Sequence, residues 1–189
     1  MEKATISPID NDPIVEAELA LLADKLGDDL PAYRNHIYRV LTYAMHFLGG
    51  DKKWQPTIAF ALVYHDIGMW TDGDLAYLEP SERAAELALK TQGQALDAKL
   101  VQNIIHWHHK VTAYKGVHAD VVNAVRKADW IDASQGQVRK GLTKAQIAAV
   151  NDAIPVLGFP DVLMRLAADL NHGRKMGGLM KVLANVYKW

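Results

Sequence analysis

Residues 56–66 read PTIAFALVYHD. Pro56 suits a first helical turn, and residues 58–64 carry no charge on any side. A segment that is apolar all round predicts a helix at the centre of the fold, here over residues 57–66. Its last two residues are His65 and Asp66. Burying a carboxylate costs several kcal/mol unless a cation or hydrogen-bond donor satisfies it, so the pair needs a reason to stand there. A His–Asp hydrogen bond closing the helix and a metal-binding pair answer equally well at this point.

Outward from that helix every periodicity is helical, with no sustained two-residue alternation and no hairpin signal. Upstream, an amphipathic stretch runs from Asp12-Pro13 to about Lys25. A second follows Asp29-Leu30-Pro31 to Leu48, striped by Ile37, Val40, Leu41, Ala44, Met45 and Leu48 and stopped by Gly49-Gly50. Downstream, residues 67–79 read as a connecting loop. Helices are expected over residues 80–91, 97–109, 117–131, 144–153, 160–170 and 179–186. Residues 110–116 and 133–142 hold glycines and charges without a period and are expected to be the most mobile loops. The expectation is an all-α, single-domain helical bundle over residues 1–189.

Length and composition narrow the class. With 189 residues, half of them hydrophobic and 23% charged, the chain can bury a substantial core and is far from the disordered regime. A net charge of −1 provides no global positive field for nucleic acid. The charge is divided, however. Residues 1–125 carry 11 Lys/Arg against 17 Asp/Glu, and residues 126–189 carry 10 against 5, which is read as pairing within the chain ahead of an anionic partner. The absence of cysteine removes disulfides, thiolate nucleophiles and Cys-ligated zinc or iron–sulfur clusters. No leader-like or bilayer-spanning run is present, so a cytoplasmic protein without membrane or nucleic-acid partners is expected.

The other helices repeat the anomaly of His65-Asp66. The stripe Val101, Ile104, Ile105 extends by three or four residues to His108 and His109. Val122 and Val125 extend to Asp129 and then Asp132, and His36 lies four residues before Val40. One core histidine is usually just a hydrogen-bonded histidine. Several helices each aiming a histidine or aspartate inward are hard to explain without a cation between them. Imidazole with carboxylate suits Mn, Fe, Co, Ni or Zn better than Mg.

The order His36, His65-Asp66, Asp129 resembles the HD superfamily of metal-dependent phosphohydrolases. NHIYRVLTYA (residues 35–44) is similar to that family's first-histidine helix, and ALVYHDIGMW (61–70) to its His-Asp helix. AVRKADWIDA (124–133) is similar to its last-aspartate helix, and NIIHWHHK (103–110) to the His-His segment of many members. The resemblance covers about residues 30–135 and leaves the helices over 143–189 outside it, packed on an HD-type bundle.

The resemblance implies metal ligands His36, His65, Asp66 and Asp129, with Asp66 and His108 assigned the catalytic work. His106, His109, Lys110 and Arg39 become candidates to bind substrate phosphate. Met69 departs from the family, replacing the lysine that often closes His-Asp-Ile-Gly-Lys and the glutamate that serves another subgroup as acid/base. Glu79, His108 and Asp132 are candidates for a second metal or for orienting a ligand. Asp72 and Asp74 read as turn residues, and the basic residues Arg174, Lys175, Lys181 and Lys188 as a helix packed on the acidic half.

One divalent ion per chain is expected, two being the alternative. The implied activity is hydrolysis of a small phosphorylated metabolite or nucleotide by metal-activated water. A di-iron oxygenase of the same fold and a non-catalytic nucleotide- or metal-binding module are the competing readings. A homodimer is left open.

Overall fold

The structure, a computed structural model, describes residues 5–72, 76–93 and 95–169. Helices α1 (Pro13–Leu26), α2 (Leu30–Phe47), α3 (Gln55–Tyr64), α4 (Gly68–Thr71), α5 (Leu78–Gln92), α6 (Ala98–Trp107), α7 (Ala119–Ala133), α8 (Lys144–Ala153) and α9 (Phe159–Asp169) follow in chain order. Among the described residues there is no strand, and no helix is long and apolar enough to cross a membrane. Asp74 and the basic segment that includes Arg174, Lys175, Lys181 and Lys188 lie outside the described residues.

Local chemistry sets the helix starts. The Asp12 carboxylate accepts from the amides of Ile14 and Val15, with Pro13 in the first turn of α1. Asp97 caps α6 through the Leu100 amide, and Thr143 with Gln146 forms a reciprocal capping box on α8. Gly93 ends α5 in the left-handed conformation that glycine adopts without strain.

The expected central helix is central. Residues 57–64 of α3 are all buried, and α1, α2, α5 and α6 pack around them. Each fully buried Ile58, Phe60 or Leu62 side chain contributes about 1.5–3 kcal/mol. Helix α2 lies along α7 and also meets α3. Its stripe of Ile37, Val40, Leu41 and Ala44 is wholly shielded from solvent. The ends of α3 and α6 and the middles of α2 and α7 therefore come together. The divided charge is bridged at Arg165, whose Nη2 donates to both Asp29 carboxylate oxygens at 2.5 and 2.6 Å.

Two local expectations are corrected. Residues 68–71 form the short helix α4 inside the expected loop, because the Gly68 amide donates to Ser81 Oγ at 3.0 Å and docks the chain on α5. Residues 110–116, expected to be mobile, are tied down. Arg126 Nη1 donates to the carbonyls of Lys110 and Val111 at 3.0 and 3.1 Å, and Asn123 exchanges two hydrogen bonds with the Tyr114 backbone.

A side chain at Gly68 would meet the Tyr77 carbonyl oxygen, with Pro80 Cβ at 2.9 Å and the Ser81 amide at 3.1 Å. Backbone cannot yield as a flexible side chain can. Gly68→Ala should therefore lower stability by about 1–3 kcal/mol, read as a lower urea midpoint at an unchanged denaturant slope.

Candidate metal centre

Four elements deliver the cluster: α2 brings His36, the turn after α3 brings His65 and Asp66, the turn after α6 brings His108 and His109, and α7 brings Asp129 and Asp132. His36, His65, Asp66, His108 and Asp129 are all buried, and His109 is 17% exposed. The inward stripes continue to this point, so the apolar core ends in imidazoles and carboxylates.

The donor atoms converge. His36 Nε2 and His65 Nε2 lie 3.1 Å apart, with Asp129 Oδ1 at 3.5 and 3.8 Å from them. Asp66 Oδ2 is 3.2 Å from His65 Nε2, and Asp66 Oδ1 is 3.3 Å from His108 Nε2 and 3.9 Å from His109 Nε2. Asp129 Oδ2 faces His109 Nδ1 at 2.9 Å. Two sets of possible ligands result, His36–His65–Asp66 and Asp66–His108–His109, each with donor atoms within 4.8 Å of one another. Asp66 belongs to both.

The rear nitrogens are held by the protein. His36 Nδ1 meets Asp132 Oδ2 at 2.7 Å, while His65 Nδ1 and His108 Nδ1 each donate at 2.6 Å to the Leu62 and Ile105 carbonyls. A histidine that donates through Nδ1 can present Nε2 as a lone pair, and such partners fix both tautomer and ring direction.

The electrostatics favour positive charge between the carboxylates. Burial alone would depress His65, yet Asp66 and Asp129 outweigh it and push it up to about 9. Burial raises Asp66 and Asp129, and the surrounding histidines overcome that and hold both below the usual carboxylate range. Burial and the neighbouring His109 push His108 down to about 4. Near neutral pH His108 is therefore uncharged, whereas His65 holds a proton that an incoming ion would have to displace.

This donor set fits a divalent ion. Asp66 Oδ1, His108 Nε2 and both Asp129 carboxylate oxygens are buried without a well-aligned hydrogen bond, facing only the other polar groups of the cluster, and imperfectly satisfied buried charge is costly. Metal–ligand bonds of about 2.0–2.2 Å place neighbouring donors roughly 3–3.5 Å apart, and the contacts around His65 Nε2 run from 3.1 to 3.8 Å.

The proposed ligands His36, His65, Asp66 and Asp129 thus meet in one place, and His108 and His109 join them. Asp132 stands behind His36. Arg39, expected on substrate phosphate, is corrected. It is fully buried, donating from Nε and Nη2 to the Asp132 carboxylate at 2.5 and 2.9 Å and from Nη1 to the Pro155 carbonyl at 2.9 Å. Glu79 is exposed on α5 and paired with Arg83 at 3.1 Å, and neither candidate ligand set includes it. His106 faces Glu82 at 2.8 Å, because α6 turns it outward while Ile105 and His108 point in. Lys110 is half-buried, and the charge it feels is that of Glu82, the carboxylate His106 also faces. Asp72 is exposed and paired with Arg83. Met69 is buried against Tyr77 and Leu166.

Sequence reasoning missed two aromatic neighbours. Tyr33 lies nearly parallel to His65, with centroids 5.9 Å apart, and its hydroxyl donates to the Val63 carbonyl at 3.0 Å. Its position three residues before His36 on one helix face is a signal that could have found it. Phe159 stacks on His36 from more than a hundred residues away, and nothing local announces it. Compared with models of known protein families, with curated proteins and with solved structures, the chain matches none.

His65→Ala and Asp66→Ala should each leave the purified chain without bound metal. His46→Ala, whose half-buried side chain lies outside the cluster, should keep it, as elemental analysis after desalting would show. Asp132→Asn removes the charge behind His36 and should weaken metal binding by about 10–100-fold, measured by titration calorimetry.

Proposed function

We propose that the chain is a metal-dependent phosphohydrolase of the HD type, acting on a small phosphorylated metabolite or nucleotide. The observation that carries this reading is Asp66, a buried carboxylate whose two oxygens face His65 on one side and His108 on the other. The order His36, His65-Asp66, Asp129 along the chain supports it.

A bound divalent ion lowers the pKa of a water from 15.7 towards about 7 and draws charge from a phosphoryl oxygen. The chain's own residues do the rest. His36, His65, Asp66 and Asp129 would hold a first ion, and Asp66 with His108 and His109 offers a second position, so the proposal takes up the alternative of two ions per chain in place of the single ion expected from the sequence. Asp66 and Asp129, held below the usual carboxylate range by the histidines, would stay ionised as anionic ligands. His109, the one partly exposed member of the cluster, marks the side from which a phosphate oxygen would approach.

A second reading, a di-iron oxygenase, draws on the same residue, since Asp66 belongs to both candidate ligand sets and two irons held there would supply oxygen chemistry. Metal identity and the released product separate the two.

The test is elemental analysis followed by a panel of phosphomonoesters and phosphodiesters assayed with Mn, Co, Ni and Mg. At least one ester should release product, with activity lost on chelation and restored by adding the ion back. A correctly metallated chain that turns over none of them overturns the hydrolase reading. Oxygen uptake by the iron-loaded chain without phosphate release would favour the oxygenase.

A further inference from the structure

The connection between α8 and α9 lies outside the stretch similar to the HD superfamily, yet it is built into the metal centre. Phe159, 2% exposed, lies ring on ring against His36, with centroids 4.2 Å apart and planes 16° from parallel. Tyr33 and His65 also lie nearly parallel to the same imidazole, at 6.3 and 5.1 Å. The Pro155 carbonyl accepts from Arg39 Nη1 at 2.9 Å and from Asn35 Nδ2 at 2.8 Å, and the Ile154 carbonyl from Arg39 at 3.4 Å. Arg39 in turn holds Asp132, which holds His36 Nδ1.

These contacts do different things to one ring. A hydrogen bond to Nδ1 fixes a single point of the imidazole and leaves its plane able to tilt, because the second side-chain torsion of histidine has broad minima. A flat face packed against the ring removes that tilt. The direction of the Nε2 lone pair depends on both restraints.

We propose that Phe159 is a positioning residue of the metal centre: its ring sets the plane of His36 and so the line along which Nε2 meets the ion. The inference rests on the reading of the His/Asp cluster as a divalent-metal site and adds to it a residue that offers no ligand atom.

The experiment measures Mn²⁺ affinity by titration calorimetry, with the ring-nitrogen NMR shifts of His36 recorded at pH 8 in the metal-free chain. Phe159→Leu fills most of the space without a flat face. It should weaken Mn²⁺ binding about tenfold, as loss of an outer partner of a ligand does, and move the His36 shifts. Phe159→Met should do the same, and serves if the leucine variant does not fold. Phe159→Tyr keeps the ring face and should restore both readouts. Phe60→Leu is the control, since Phe60 is equally buried and its ring packs on Tyr64 in α3. It should lower the melting temperature while leaving Mn²⁺ affinity and the His36 shifts unchanged.

Wild-type affinity and unmoved His36 shifts in both Phe159→Leu and Phe159→Met overturn the proposal. If the wild-type chain itself binds no divalent ion, the metal reading fails. The metal-free His36 shifts then decide the role of Phe159 alone, a shift in Phe159→Leu supporting it and none refuting it.

Discussion

Two carboxylates, Asp66 and Asp129, stand in the interior of this bundle with almost no access to water. Charge in that position is tolerable only when opposite charge or hydrogen bonds surround it. The four histidines that converge on the pair answer that requirement, and so does a divalent cation between them. Much of the architecture follows from meeting it. Helices α3 and α6 stop where their next residues turn polar, α7 runs alongside α2, and the chain after α8 folds back over His36.

Around the cluster a second layer decides how each ligand is presented. His65 and His108 are held by carbonyls three residues upstream in their own turns, so local backbone alone orients them. His36 sits mid-helix, where no free carbonyl is within reach, and its orientation is supplied by tertiary structure. Asp132 comes from α7, Arg39 from the next turn of α2, and the carbonyls that restrain Arg39 from the end of α8. A burial-matched guanidinium neutralises Asp132 and leaves that carboxylate able to receive the imidazole N–H.

The helices were legible because their inward stripes recur every three or four residues, and extending those stripes located His36, His65, Asp66, His108 and Asp129. The same arithmetic could not tell what a polar side chain would meet. Arg39 and Lys110 carry the same charge in the sequence, yet one is locked between Asp132 and two carbonyls while the other is half-buried and feels Glu82. His106 and Glu79 were plausible by proximity along the chain, and helix phase turns them outward. Phe159 and the short helix α4 depend on contacts across the fold, which no local pattern records. The chemistry was thus readable at the ends of periodic segments, and unreadable wherever a long-range partner decides the outcome.

The grip of Arg126 and Asn123 on residues 110–114 bears on how chains of this build can diverge. The guanidinium spans two successive carbonyls immediately after His109, so the first steps of that connection are gauged against a fixed point on α7. An insertion between residues 109 and 112 would shift the register of those carbonyls and drag His109 away from Asp129. One placed beyond Tyr114 would leave the gauge untouched. Length variation should therefore gather on the far side of Tyr114, and loss of Arg126 would release the near side to drift.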